Sequence, residues 1–312
     1  MIIDFHTHVG DLRPPGRDDL APVTWESLID RLDEEGIDKA VFLPLGASPE
    51  SMQGPFLFAD NPDLVSQLRE ARRHGDCVIA FGNLDPRMGC LGNLEPRQVA
   101  DPPAPDFSWL LDRFVELGCA GIGELTASLP LDDTRVVTLC RQCGERCLPV
   151  LAHCTGQGSG VYGLFDEVGS PWLERLLRQI PDTTFIGHAP GFWAEISGDL
   201  RPENKFIYPE GPVRSEGSLV RLLRAYPNLY ADLSARSGLN AISRDREFAA
   251  RFLEEFQDRL LFGTDVCFAG KAWRIPTLAH LRSMLAEGAI SREAIEKITG
   301  GNALRILRLD RP

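Results

Sequence analysis

The sequence predicts an α/β protein of the (β/α)8 TIM-barrel type, and three observations predict it. Eight short apolar runs recur along the chain, each is followed by a segment of helical periodicity, and the surplus length falls after runs. The runs span 2–8 (IIDFHTH), 39–45, 77–84, 119–125, 148–154, 183–189, 228–234 and 259–265. The amphipathic segments span 24–36, 61–74, 107–118, 134–146, 171–180, 216–226, 245–258 and 276–287.

Taken in order, the first run alternates as a strand should. Ile3, Phe5 and Val9 belong to one face, and Asp4, His6 and His8 to the other. Thr24 reads as the N-cap of the first helix and Gly36 as its end; Gly118 ends the third. In the fourth, CRQCGERC puts Cys140, Cys143 and Cys147 at i, i+3 and i+7. Zinc ribbons and Fe–S sites take such ligands from turns, so an apolar helix face is expected instead. Pro171 opens the fifth helix, Asp245 caps the seventh, and a last helical stretch, 290–307, closes the chain.

The 312 residues fit one barrel of about 250 residues with insertions near 85–105, 155–170 and 190–215. A single domain over 1–312 is therefore expected. An open doubly wound sheet gains a little from GSGVYG (158–163), which matches G-x-G-x-x-G. The Rossmann turn passes directly into a helix, however, whereas LFDEVGSP intervenes here. A Gly-rich loop over a site is the better reading.

Hydrophobic residues make up 43% of the chain and charged residues 25%, as in ordinary globular proteins. A net charge of −12 opposes a nucleic-acid or anionic-membrane surface, because either needs a basic stripe. No apolar run approaches the ~20 residues that span a bilayer, and no secretory leader pattern opens the chain. Cytoplasmic location with reduced thiols is expected, with a small-molecule partner and with homo-oligomerisation left open.

The polar residues that end the runs carry the functional signal. His6 and His8 end the first, Glu124 the fourth, His153 the fifth, His188 the sixth and Asp265 the eighth. In a closed barrel these ends converge on one point. Any one of them alone could simply hydrogen-bond a loop; six together, including four of only six histidines, form a metal site. Their nitrogen and carboxylate donors suit Zn²⁺, and also Mn²⁺ or Fe²⁺. His74 and His280 lie in helical segments and are left as surface or packing residues.

DFHTH, the histidines of VLAHC and FIGHAPG, FGTD and the closing GGNALRIL resemble the amidohydrolase superfamily, and more narrowly amidohydrolase family 2. The resemblance covers residues 2 to about 307. It implies a barrel with one or two divalent metals at its C-terminal mouth. His6 and His8 then match the first-strand ligands, His153 the fifth-strand ligand, His188 the sixth-strand histidine and Asp265 the eighth-strand aspartate. One departure matters. Many relatives bridge two metals with a carbamylated lysine, but Lys39, Lys205, Lys271 and Lys297 all lie elsewhere, and Glu124 takes the fourth-strand position.

The chemistry so implied is hydrolysis of an amide, ester or lactone bond of a small molecule by metal-activated water. Asp265 would shuttle the proton, and His188 would polarise the carbonyl or hold a second metal. Asp4 is expected either to orient an imidazole or to be a buried, hydrogen-bonded carboxylate. The alternative is metal-dependent decarboxylation of an aromatic or unsaturated carboxylic acid; a non-catalytic metal-binding barrel is the third reading. Charge balance favours two metals, with Glu124 bridging and His153 and His188 on the second. Arg13, Arg87, Gln157, Tyr162, Trp193, Arg236, Cys267 and Trp273 follow strands and are pocket candidates. Arg236 is expected to anchor an anionic group, with Trp193 beside the substrate.

Overall fold

The computed structural model describes residues 1–14, 16–45, 63–89, 105–156 and 162–309. Strands β1 (Ile3–Thr7), β2 (Lys39–Phe42) and β3 (Val78–Ala80) form one parallel arc. A second arc runs β4 (Ile122–Leu125), β5 (Val150–Gly156), β7 (Phe185–His188), β8 (Leu229–Asp232) and β9 (Leu260–Leu261); β6 (Leu164–Asp166) pairs with β5 outside this order. Backbone bonds join the arcs at both seams. Gly82 N donates to Gly121 O and Gly123 N to Gly82 O, both at 2.9 Å. At the other seam Phe5 N donates to Phe262 O at 2.8 Å and Asp265 N to His6 O at 2.9 Å. The two arcs therefore meet as a ring of eight parallel strands of the expected barrel type.

Helices return the chain between strands: α1 (Trp25–Glu35), α2 (Leu64–Arg73), α3 (Ser108–Glu116), α4 (Thr134–Glu145), α5 (Pro171–Gln179) and α7 (Ser218–Ala225). α9 (Arg246–Glu255) and α10 (Thr277–Ala286) complete the set. α1 shows the local logic. Thr24 and Ser27 exchange capping-box bonds, and Gly36 ends the helix at φ 66°, where a side chain would be strained. Its buried Leu28 and Leu32 face the strands, each burial contributing about 2 kcal/mol.

Two apolar layers result. Ile3, Phe5, Val41, Leu43, Phe81, Leu151, Ile186 and Leu261 cluster inside the ring, with Ala303 and Leu307 at its N-terminal end. A larger layer, including Leu28, Leu111, Leu139, Leu176 and Leu222, packs helices against strands.

Several elements depart from expectation. Short helix α6 (Pro190–Trp193) and helix α8 (Ala235–Ser243) follow strands directly, and β6 lies inside the 155–170 insertion. The final helical stretch is broken into α11 (Arg292–Glu296), a π-turn over Lys297–Gly301, and α12 (Asn302–Ile306). Cys140 and Cys143 are buried as expected, but Cys147 lies past the end of α4 at φ 56° and is exposed. Most of the 85–105 insertion, and the GSGV of GSGVYG, lie outside the described residues. No described helix is long and apolar enough to cross a membrane.

Candidate metal centre

The first strand does not alternate throughout. Its pairing with β2 slips between Asp4 and Thr7, which reverses the side-chain faces beyond the slip. Asp4 therefore does not share a face with His6 and His8, and it orients no imidazole. It accepts from Arg31 Nη2 of α1 at 2.9 Å and from Thr264 N and Oγ1 at 2.8 and 2.7 Å. It ties β1 to α1 and to the end of β9. The slip frees His6 and His8 to face the site.

Three imidazoles are held by their outer nitrogens. His6 Nδ1 donates to Asp232 Oδ2 at 2.7 Å, and His8 Nδ1 donates to Leu43 O at 2.8 Å. His188 Nδ1 donates to Ser234 Oγ at 2.9 Å, and that hydroxyl in turn donates to Asp232 Oδ2 at 2.6 Å. Each ring is thereby fixed with Nε2 inward. His6 Nε2 and His8 Nε2 lie 3.0 Å apart.

Two carboxylates meet these nitrogens. Asp265 Oδ1 is 3.1 Å from His8 Nε2 and 3.6 Å from His6 Nε2, and its Oδ2 is 3.6 Å from His188 Nε2. Glu124 Oε2 lies 3.7 Å from His6 Nε2 and 3.6 Å from His8 Nε2, and its Oε1 lies 3.8 Å from His188 Nε2. Donors ~2.1 Å from one ion sit roughly 3.0–3.6 Å from each other, which is close to this spread. Among the described residues two groups bring their donors close enough to hold an ion, His6 with Glu124 and His188, and His6 with His8 and Asp265, and the two groups share His6. Gly123 lets Glu124 in: at φ 153°, a Cβ there would stand 2.7 Å from Leu151 O.

Charge explains how the chain balances itself. Burial opposes protonation of His6, but the Asp265 and Asp232 carboxylates outweigh it and hold its pKa well above 6.5. His188 is likewise disfavoured by burial and by His6, yet Asp232 and Asp265 raise it to about 9. Burial opposes ionisation of Glu124 and Asp265 as well; neighbouring histidines outweigh it and keep both ionised. Protonated His6 is then the donor in its bond to His8. Protons here occupy the place of a cation.

A metal must displace those protons. The neighbouring carboxylates favour the protonated forms of His6 and His188, so zinc uptake should release protons. Because both pKa values are raised, affinity should fall as pH drops, for His188 through the range around 9. Calorimetry in buffers of different ionisation enthalpy checks this; uptake without proton release would contradict it.

The remaining candidates scatter. His153 stands outside the cluster: its Nδ1 lies 2.7 Å from Glu124 Oε1. Trp193 does not line a pocket; it is buried among Phe192 and Phe252, and its Nε1 donates to Asp232 O at 2.8 Å. Arg236 is exposed in the first turn of α8. Arg13 pairs with Asp11, Arg87 with Asp85 and Ala127 O, and Trp273 packs on Phe268. Tyr162 packs against His153, Cys267 Sγ lies 3.5 Å from Asp265 Oδ1, and Gln157 lies outside the described residues. His74 packs on Trp25, and His280 Nε2 donates to Ile242 O.

Sequence reasoning missed Asp232, Ser234 and Tyr208. Asp232 carried the same signal as Asp265, a carboxylate ending an apolar run. Tyr208 had none. It lies on the 190–215 insertion, where burial and the Asp265 charge raise its hydroxyl and Arg236 lowers it.

Residues 3–309 match a family model described as amidohydrolase. A search of curated proteins by sequence returns no match. Among solved structures, a putative 2-pyrone-4,6-dicarboxylic acid hydrolase from Pseudomonas putida is similar at TM-score 0.58 and 16% identity, over 100% of this chain and 98% of that one. An amidohydrolase from Burkholderia multivorans with bound zinc is similar at TM-score 0.59 and 15% identity, over 99% of both chains. A 2,6-dihydroxybenzoate decarboxylase from Rhizobium is similar at TM-score 0.52 and 17% identity, over 99% of both chains.

Proposed function

This chain belongs to the amidohydrolase family, and on that premise we propose that it is a zinc-dependent hydrolase cleaving an amide, ester or lactone bond of a small molecule. One observation carries the reading. Three imidazoles anchored at Nδ1 turn their Nε2 atoms onto Asp265 and Glu124, a donor set that suits zinc and also manganese or iron. His6, His8, His188, Glu124 and Asp265 would hold one ion rather than two, because the two groups of donors share His6. When bound, the ion supplies Lewis acidity to a carbonyl and acidifies water.

The chain's own residues do the rest. Asp265 is the member that solvent reaches, its side chain 17% exposed against 4% or less for the other four. It takes the proton of the attacking water and returns it to the leaving group. Asp232 keeps His6 and His188 in the required tautomer. Arg236, beside Tyr208 at the mouth, anchors an anionic group of the substrate. Decarboxylation is the second reading, supported by the similarity to a dihydroxybenzoate decarboxylase and by the same solvent-facing acid.

The test is a panel of lactones, N-acyl amino acids and aromatic carboxylates offered to zinc-loaded protein, read for acid release and for CO₂. Acid release without CO₂ is expected. Release of CO₂ would transfer the assignment to the lyase reading, and zinc binding without either product would favour a non-catalytic barrel.

A further inference from the structure

His153, midway along β5, matches a metal ligand by its place in the sequence, yet its geometry differs from that of the other three histidines. Its Nδ1, not its Nε2, meets the cluster, and it does so through Glu124 Oε1 at 2.7 Å. At 2.7 Å this is a hydrogen bond, in which the carboxylate oxygen accepts and His153 Nδ1 donates. That bond takes up Oε1 and leaves Oε2 facing His6 and His8.

The ring is also wedged in place. Tyr162 packs on it with centroids 4.3 Å apart. Gly163, at φ 123°, approaches so closely that a Cβ would stand 2.7 Å from His153 O and 2.8 Å from its Cδ2. His153 Nε2, on that edge, is buried and has no hydrogen-bond partner among the described residues.

We infer that His153 is a positioning residue and not a metal ligand: it holds Glu124 so that Oε2 is the fourth-strand donor to the ion. The inference rests on the metal site proposed above.

Two near-isosteres separate the roles of the two ring nitrogens. An asparagine amide nitrogen falls near the place of Nδ1, whereas a glutamine amide reaches the place of Nε2. Zinc affinity is measured by competition with a chromophoric chelator, so no substrate is needed. His153→Asn keeps the donor to Glu124 and should bind zinc within about threefold of the parent. His153→Gln loses that donor and should bind 10–100-fold more weakly, the usual loss when a ligand's supporting bond is removed. Glu124→Gln should bind more weakly still.

If Nε2 coordinates the ion, the order reverses, with glutamine binding better than asparagine, and the inference falls. Ring ¹⁵N spectra supply a readout that survives a poorly folded variant. On zinc addition to the parent protein, His6, His8 and His188 should show coordination shifts and His153 should not; a coordination shift at His153 would overturn the inference. Absence of zinc binding by the parent would instead remove the premise, and with it both the metal site and this role.

Discussion

Replacing Asp265 by asparagine is expected to lower kcat by about a thousandfold with the fold intact. Loss of a positioned general base costs ~10²–10⁴, and Asp265 is proposed both to ligate the ion and to move the proton. The amide can neither take the water's proton nor coordinate as strongly. Asp265 N donates to His6 O through the backbone, so this seam of the barrel survives the substitution. Its φ of 55° is one that asparagine adopts as readily as aspartate. His280→Ala is the control, since that ring lies in α10 and hydrogen-bonds Ile242 O rather than any proposed ligand. Equal losses in the two variants, at matched melting temperatures, would count against the role of Asp265.

Asp232→Asn should have the next largest effect, and it should act on metal affinity first. One carboxylate oxygen, Oδ2, accepts from His6 Nδ1 and from Ser234 Oγ and lies 3.1 Å from His188 Nδ1; Oδ1 accepts from Ser234 N at 2.9 Å. An amide in its place presents N–H groups to rings that themselves donate, or else leaves one ring without its anchor. Removing a single such anchor typically costs 10–100-fold in metal affinity, and two imidazoles depend on this one. A loss of at least 100-fold in zinc affinity is therefore expected. Asp4→Asn provides the contrast: its side-chain partners, Arg31 and Thr264, lie outside the site, and it meets His6 only through the backbone N–H, at 3.2 Å. That variant should lower the melting temperature while leaving zinc affinity within a few-fold. The reverse pattern would exchange the roles given to the two aspartates.

Much of this was legible in the sequence, for physical reasons that can be named. Strand ends were legible because a polar, metal-capable residue closing an apolar run is a local signal, and a barrel brings all such ends together. His6, His8, Glu124, His188 and Asp265 were found that way. Helix boundaries were legible where capping is local, as at Thr24, Gly36 and Asp245. The face of Asp4 was not, because a one-residue slip in β-pairing leaves no mark in an alternating sequence. His153 ends an apolar run like the others, but β5 continues past it to Gly156, and the 2.7 Å bond that sets it apart depends on a neighbour 29 residues away. Trp193 looked like a pocket residue because it follows a strand, yet α6 turns it into the layer beneath the site. Tyr208 lies on a long insertion with no periodic pattern to place it.

Anomalous diffraction from zinc-saturated crystals, measured on both sides of the zinc edge, tests the central claim most directly. The account predicts one peak per chain, within ~2.0–2.3 Å of His6 Nε2, His8 Nε2 and His188 Nε2 and of oxygens from Asp265 and Glu124. Two peaks bridged by Glu124, or zinc bound only elsewhere on the chain, would contradict it.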